Sequence, residues 1–315
     1  MAGPQLMLQA ARGPEASAEV AEAAALMPVL RELGHLKRIT SAGRSGSLAT
    51  RLFKQTWSAL VAGAEPSDVM RATVAAALAA ARLGDLDAAK LRELGLTQAQ
   101  SVEVLGRGFD AVTDAVDLRL VDDLREALGA GLPDGALPRF VQLLADQPRA
   151  GVTCPGKPRL MLQPAENHAE HSITVALYGV LLAPLYDANP TQAFLAGLGH
   201  HFHNAAMPDS GFTGEVMLGD LLDGVIERAR STAMDELAPP LRGLFAEVLV
   251  PIGSADSAEG RCFNAADVID RVLEIEQHLV TREASMANVL HDYHLVHAGP
   301  VKDFHDRTLA DVGLL

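Results

Sequence analysis

The sequence predicts an all-α protein. Hydrophobic residues make up 49% of the 315 residues while aromatic residues make up only 4%, a balance that favours packed helices rich in Ala and Leu. Apolar residues recur at three- and four-residue steps, and no alternating strand pattern competes with them. The ordinary apolar content, with 21% charged residues, excludes a disordered chain.

Predicted helices lie on both sides of a stretch rich in helix breakers at residues 149–164. We therefore place a domain boundary near residue 150, between an Ala-rich helical region (1–150) and a second helical domain (151–315). A loose terminus precedes the first helix. The predicted helices are 16–33, 47–63, 67–83, 97–120, 165–185, 190–205, 214–230, 234–250, 264–282, 284–296 and 302–312.

Net charge argues against nucleic acid as a partner. The chain carries a formal charge of −14, whereas a general nucleic-acid binder needs a basic footprint. The asymmetry is internal, because residues 1–150 hold 16 basic and 18 acidic side chains and residues 151–315 hold 10 and 22. The formal charges of the two halves are therefore −2 and −12.

The cysteines and the apolar segments favour a cytoplasmic protein. Cys154 and Cys262 lie far apart without a CxxC spacing, so neither a disulfide framework nor a zinc knuckle is encoded. No signal peptide is evident, and the longest apolar stretch, 173–186, is shorter than the ~20 residues of a membrane span. It is typical of a buried core helix.

Histidines are distributed unevenly. A single histidine is usually a surface or core residue, but a cluster favours a metal site, since neutral imidazole is the commonest transition-metal ligand. Five of the eleven fall within 36 residues, and four more fall near the C-terminus. The first group is His168, His171, His200, His201 and His203, and the second is His291, His294, His297 and His305.

Two predicted helices bring the first group together. Asn189 and Pro190 form a cap followed by proline at the first helical position, and His200 and His201 continue that helix. The small Gly197 and Gly199 let another helix approach there. The preceding helix opens with His168 and His171, one of which we expect to supply a third ligand.

Three segments resemble the HD-domain superfamily of metal-dependent phosphohydrolases, whose ordered signature is His, then His-Asp, then a distant Asp. They are Glu166–Ser172, similar to the family helix that ends in Glu-His-Ser, residues 196–201, similar to Leu-Leu-His-Asp, and Ala266-Asp267-Val268. The resemblance covers about residues 160–282. It implies a helical bundle of the HD type with His171, His200, His201 and Asp267 as metal ligands.

One position departs from the family, because its signature Asp is His201 here. A carboxylate can bridge two metal ions whereas an imidazole binds one, so a mononuclear site with three His and one Asp is expected. Where a nucleotidase-like branch has Glu, this chain has Asn204, which cannot act as a base. Asp209 is the predicted catalytic residue, protonating a leaving group or orienting water.

Two parts of this assignment stay open. Asp267 and Asp270 both lie opposite the apolar arc that includes Val268, so both could be solvated, and Asp270 is the reserve ligand. The late dipeptide His291-Asp292 is out of family order. We prefer a polar face of an amphipathic C-terminal helix there, the alternative being that His294 or His297 contacts substrate.

Basic residues concentrate in the first half around the loop 41–47. A helix start with Arg and Lys could hold a phosphate or carboxylate. A solvated basic loop, or a docking face for the acidic second half, is the preferred interpretation. The residues are Arg31, Lys37, Arg38, Arg44, Arg51 and Lys54.

The sequence therefore favours a metal-dependent hydrolase that acts on a phosphoester of a small nucleotide-like molecule. The expected cofactor is one divalent transition metal (Fe, Mn, Co or Zn), and the expected partner is a small-molecule substrate, with neither nucleic acid nor membrane. A homo-oligomer is compatible with this reading. Two alternatives remain: an iron-dependent oxygenase of the HD type, and a non-catalytic HD-like binding or scaffold protein.

Overall fold

The protein is all-α, as predicted. The computed structural model describes residues 14–283, with side chains from residue 22 to residue 280, and this part holds helices, turns and isolated β-bridges but no strand. The α-helices are α1 (Pro14–His35), α2 (Leu48–Val61), α3 (Pro66–Leu83), α4 (Ala88–Glu93), α5 (Gln98–Asp110), α6 (Leu118–Glu126), α7 (Arg139–Asp146), α8 (His168–Tyr186), α9 (Pro190–Gly199), α10 (Gly211–Leu218), α11 (Leu222–Met234), α12 (Pro239–Val248) and α13 (Ala258–Glu283), and 3-10 helices cover Phe202–Ala205, Gly219–Leu221 and Pro251–Gly253.

Local capping explains where several helices begin. The side chain of Ser47 accepts a hydrogen bond from the Thr50 amide at the start of α2, and Asn189 does the same for the first amides of α9. Asn167 and Glu170 form a reciprocal capping box at the start of α8. These caps fix the chain direction just before the two helices that carry the histidines.

Three predicted helices are shorter or placed differently. The single helix 97–120 is wrong, because α5 ends at Asp110 and Asp117 caps a new helix, α6, with its side chain. The predicted cap at residues 67–68 is also wrong, since Pro66 occupies the first turn of α3. The segment 214–230 is divided at Gly219, which has a positive φ of 51°.

Helix α9 also ends earlier than predicted. It stops at Gly199, and a 3-10 helix follows after His200 and His201. The short helices α4 and α7 were not predicted. The loose terminus before residue 14 and the helices predicted over 284–296 and 302–312 lie outside the described residues.

Helix α8 is the central element of the core. All of its residues from His168 to Ala183 are buried, and helices α1, α2, α7 and α9 pack against it. An aromatic cluster next to it centres on Trp57, which contacts Phe140, Phe202 and Phe245 with ring centroids 4.9–5.6 Å apart. Phe202 belongs to the 3-10 helix after α9, so this cluster anchors the segment that carries His201.

The described residues fall into two compact units. The first extends to Arg271 and includes helices from both sides of residue 150, with α1 and α2 packed on α8. The second begins at Val272. The domain division near residue 150 stays a prediction. Within the described part of the chain, no helix has the length and apolarity needed to cross a bilayer.

Candidate metal centre

Three elements bring the predicted ligands together. His171 lies in the first turn of α8, His200 and His201 follow the end of α9, and Asp267 lies on α13. Helices α8 and α9 pack very closely, since a Cβ added to Gly197 would lie 2.5 Å from the Cα of Ala176. The prediction that a small residue at position 197 admits a neighbouring helix is confirmed.

The ring nitrogens of the three histidines converge. One nitrogen from each of His171, His200 and His201 lies within 4.8 Å of the others. The Nε2 atoms of His171 and His200 are 3.2 Å apart, and Asp267 Oδ1 lies 3.2 Å from His171 Nε2. Three of the four predicted ligands therefore meet at His171 Nε2. The ring of His201 is tilted beside them, 4.1 Å from that of His200 and 5.0 Å from that of His171.

Each of the three imidazoles has an acceptor at its other nitrogen. His171 Nδ1 lies 2.7 Å from Asp270 Oδ2, His200 Nδ1 lies 2.7 Å from the Gly197 carbonyl, and His201 Nδ1 lies 2.7 Å from Asn204 Oδ1. Asn204 is oriented in turn, since its amide nitrogen donates to the Met207 carbonyl. A neutral ring with its proton on Nδ1 satisfies this acceptor in each case and leaves a lone pair on Nε2.

With the proton on Nδ1, the Nε2 atoms of His171 and His200 face one another as two lone pairs. Ligand atoms about 2.1 Å from one ion lie roughly 3.0–3.4 Å apart at tetrahedral or octahedral angles, and the observed spacings of 3.2 Å agree with that range. The arrangement of an acceptor at Nδ1 and a bare Nε2 is also the usual one for metal-binding histidine. The donor set fits a transition-metal ion.

Burial keeps the histidines uncharged. It lowers the pKa of His171 to about 4 and that of His200 to about 3, with the neighbouring imidazole of His171 adding to the effect on His200. The pKa of His201 is lowered well below its ordinary value for the same reasons. All three rings are neutral at pH 7, which is the state that ligates a metal.

The two carboxylates of α13 occupy different positions. Asp267, with 21% of its side chain exposed, faces His171 Nε2, while Asp270 is fully buried behind the ring at Nδ1. Burial alone would raise the pKa of Asp267, but the neighbouring His171, His200 and Arg271 outweigh it and lower the pKa. The alternative in which both are solvated is wrong. Val268, on the arc expected to face the core, is instead 46% exposed.

A second acidic group lies behind the histidines and already holds a cation. Glu166, His171 and Asp270 are close enough together to suggest a metal site. The ammonium of Lys37, however, lies 2.5 Å from Glu166 Oε1 and 2.6 Å from Asp270 Oδ1. Asp270, the reserve ligand, therefore contacts Lys37 and Nδ1 of His171, and not the Nε2 side on which the candidate ligands meet.

Asp209 approaches the cluster through His168. Its Oδ2 lies 3.5 Å from His168 Nε2, and its two oxygens accept the amide protons of Ala150 and Gly211. Burial would raise its pKa, but these interactions outweigh it and lower the pKa. His168 is 1% exposed, and its ring lies 4.7 Å from that of His201. An ionised Asp209 fits the orienting role predicted for it and not proton donation.

The basic loop of the first half forms local ion pairs. Arg44 lies 3.0 Å from Asp85 and 2.7 Å from Asp87, and Arg51 lies 2.6 Å from Asp85. These guanidinium groups are already partnered by carboxylates. Lys37 differs from them, because its partners belong to the acidic second half.

Sequence reasoning missed several residues that support the site. Asn204 was considered only as a substitute for a catalytic Glu, and Glu166 only as part of a motif. Arg149 was not singled out, yet its charge contributes to lowering the pKa of His171 and its Nε lies 3.5 Å from Glu166. The excess of acid in the second half was the available signal that a buried cation is needed. The late histidines, His291, His294, His297 and His305, and Asp292 lie outside the described residues.

The fold and the site together define an all-α protein with a buried cluster of three neutral histidines and a carboxylate. Comparisons with protein families, with curated proteins and with solved structures found no match for this chain. The assignment to the HD superfamily therefore stays a prediction from the residues of this chain.

Proposed function

We propose that this chain is a metal-dependent hydrolase of the HD-domain type that cleaves a phosphoester of a small nucleotide-like molecule. The observation that carries the proposal is the convergence of the Nε2 lone pairs of His171 and His200 with Asp267 Oδ1, each 3.2 Å from the next, beside His201. A divalent metal bound there lowers the pKa of a coordinated water and polarises a phosphoryl oxygen.

Charge favours an anionic substrate. Three neutral imidazoles and one ionised carboxylate would leave a divalent ion with one net positive charge, while the cations Lys37 and Arg149 nearby are paired with the carboxylates of Glu166 and Asp270. Arg271 lies 3.7 Å from the second oxygen of Asp267. A phosphate group matches this positive surrounding better than a neutral substrate does.

The proposed centre holds one ion. A second ion needs a bridging carboxylate, and the site has His201 at the position where the family has Asp. The remaining carboxylates nearby are engaged, since both oxygens of Asp270 contact Lys37 or His171 and Glu166 pairs with Lys37. Asp209 would hold His168 beside the centre, where that imidazole can exchange a proton with water or substrate.

We also propose that the protein works in the cytoplasm on a small molecule. Within the described residues both Cys154 and Cys262 are free thiols, which suits a reducing compartment.

The test compares the metal content and the activity of the wild type and His200→Ala, purified without added metal. We expect about one equivalent of Mn, Co, Zn or Fe in the wild type and loss of the metal in His200→Ala with helical content unchanged. His35→Ala, which changes an exposed histidine at the end of α1, is the matched control and should keep its metal. Release of inorganic phosphate from a panel of nucleoside mono- and triphosphates should follow the metal.

Three outcomes contradict the proposal. A wild type that binds no metal would favour a binding or scaffold protein. Iron with a ligand-dependent visible absorbance and oxygen consumption, but no phosphate release, would favour the oxygenase. Full metal occupancy in His200→Ala would place the ion elsewhere.

A further inference from the structure

A buried lysine from the first half of the chain lies behind the candidate metal centre. Lys37 follows the end of α1, is 3% exposed, and places its ammonium between Glu166 and Asp270. Burying a lysine is costly unless its charge is paired. Its ion pairs with two buried carboxylates, one of which contacts a candidate ligand, indicate a role at that ligand.

The two nitrogens of His171 face competing acceptors. Asp270 Oδ2 lies 2.7 Å from Nδ1, and Asp267 Oδ1 lies 3.2 Å from Nε2. The single proton of the neutral ring can go to either side. Only the Nδ1–H form leaves the Nε2 lone pair free for a metal. In the Nε2–H form, this nitrogen carries the proton and donates a hydrogen bond to Asp267.

Lys37 fixes the acceptor on the Nδ1 side. It donates to Asp270 Oδ1 at 2.6 Å, which leaves Oδ2 directed at His171. It also supplies the positive charge that allows Asp270 and Glu166 to stay close together in a buried environment. Without Lys37, Asp270 Oδ1 loses the donor that holds the carboxylate in this orientation, and Oδ2 is no longer held at His171 Nδ1.

We propose that Lys37 is a positioning residue that sets the tautomer of His171 and so makes its Nε2 available to a metal ion. This inference rests on the metal centre proposed above. It also means that the first half of the chain supplies a residue that the centre in the second half requires.

The test uses a charge-compensated variant, because Lys37→Met alone would leave two buried carboxylates without a cation and could unfold the protein. Lys37→Met combined with Glu166→Gln removes one positive and one negative charge together. Glu166→Gln alone is the matched control, since it keeps the contact of Lys37 with Asp270. Circular dichroism checks that both variants keep the helical content of the wild type.

The first readout needs no metal. Nitrogen-15 NMR of the metal-free protein reports which ring nitrogen of His171 carries the proton. We expect the Nδ1–H form in the wild type and in Glu166→Gln, and a shift toward the Nε2–H form in the double variant. An unchanged Nδ1–H form in the folded double variant would overturn the proposal, and so would an Nε2–H form in the wild type.

The second readout is the dissociation constant for Co²⁺. We expect the double variant to bind roughly 10- to 100-fold more weakly than Glu166→Gln, the usual loss when a residue behind a histidine ligand is removed. Equal affinities would overturn the role of Lys37. A wild type that does not bind Co²⁺, with the tautomers as expected, would instead overturn the proposed metal centre and leave the positioning role supported.

Discussion

His201 decides whether the proposed centre is a working site, because the resemblance to the HD superfamily aligns it with the signature Asp of that family. Its Nδ1 is held by Asn204 and its ring lies 4.1 Å from that of His200. If Nε2 ligates the metal, His201→Ala should weaken metal binding and activity together. His201→Asp should keep one metal and admit a second, since a carboxylate can bridge two ions. The measurement is metal stoichiometry at neutral pH for wild type and both variants.

His203→Ala provides the matched control for this series. His203 lies on the 3-10 helix that follows His201, with its ring 5.5 Å from that of His201, but outside the three histidines whose nitrogens converge. The His203→Ala variant should therefore retain the metal. Tight binding that survives His201→Ala would show that His201 is not a ligand, and binding that appears only in His201→Asp would mark the wild-type site as a relic.

The contact between α8 and α9 sets the distance between His171 and His200. Gly197 packs on the backbone of Ala176, where a Cβ would lie 2.5 Å from both N and Cα. Gly197→Ala should force the helices apart, lower the free energy of unfolding by about 1–3 kcal/mol and weaken Co²⁺ binding. Urea unfolding and Co²⁺ titration measure both effects.

Gly224→Ala in α11 controls for the helix propensity of alanine. A Cβ there meets no atom within 4 Å, so the change should be neutral or stabilise by up to about 1 kcal/mol. If Gly197→Ala behaves like Gly224→Ala in both assays, the close approach of α8 and α9 does not determine the site.

The start of α9 could be predicted from the sequence because its signal is local, whereas the cap predicted for α3 at residues 67–68 was wrong. Asn189 followed by Pro190, and Asn167 with Glu170 three residues later, are cap patterns that α9 and α8 use. The inward face of α13 could not be predicted in this way. Asp270 is buried because Lys37, 233 positions earlier, pairs with it, and no periodicity within α13 carries that information.

Contacts between residues distant in sequence also limited what could be predicted about the candidate site. Clustered histidines and a family resemblance predicted His171, His200, His201 and Asp267. The structure brings a nitrogen of each of the three histidines within 4.8 Å of the others and places Asp267 3.2 Å from His171. The hydrogen-bond partners of the three histidines depend on the folded structure. They are the Gly197 carbonyl, the Asn204 amide and Asp270 with its partner Lys37. Sequence spacing could therefore predict which residues are candidate ligands, but not which ring nitrogen of each histidine carries the proton.

The buried histidines make the stability of the whole metal-free molecule depend on pH. Burial lowers the pKa of His171 and of His203 to about 4 and that of His200 to about 3, against an ordinary value of 6.5 in the unfolded chain. Between those values the unfolded chain binds protons that the folded protein excludes, so stability falls as pH falls below about 6.5. The loss is about 1.4 kcal/mol per pH unit for each histidine that stays neutral.

The pH range in which the histidines lower the stability is distinct from the range in which the carboxylates lower it. Asp209 and Asp267 have lowered pKa values in the folded protein, so the stability that they contribute is present above their ordinary value of 3.8 and is lost only at lower pH. Urea unfolding with a chelator present should give equal free energies of unfolding at pH 8 and 7.5 and a steady decrease from pH 6.5 to 5. His203→Gln removes one excluded proton and should reduce that slope by about 1.4 kcal/mol per pH unit. A free energy that does not change between pH 6.5 and 5 would mean that the cluster accepts protons in the folded state, and a set of readily protonated histidines would be a poor metal site at neutral pH.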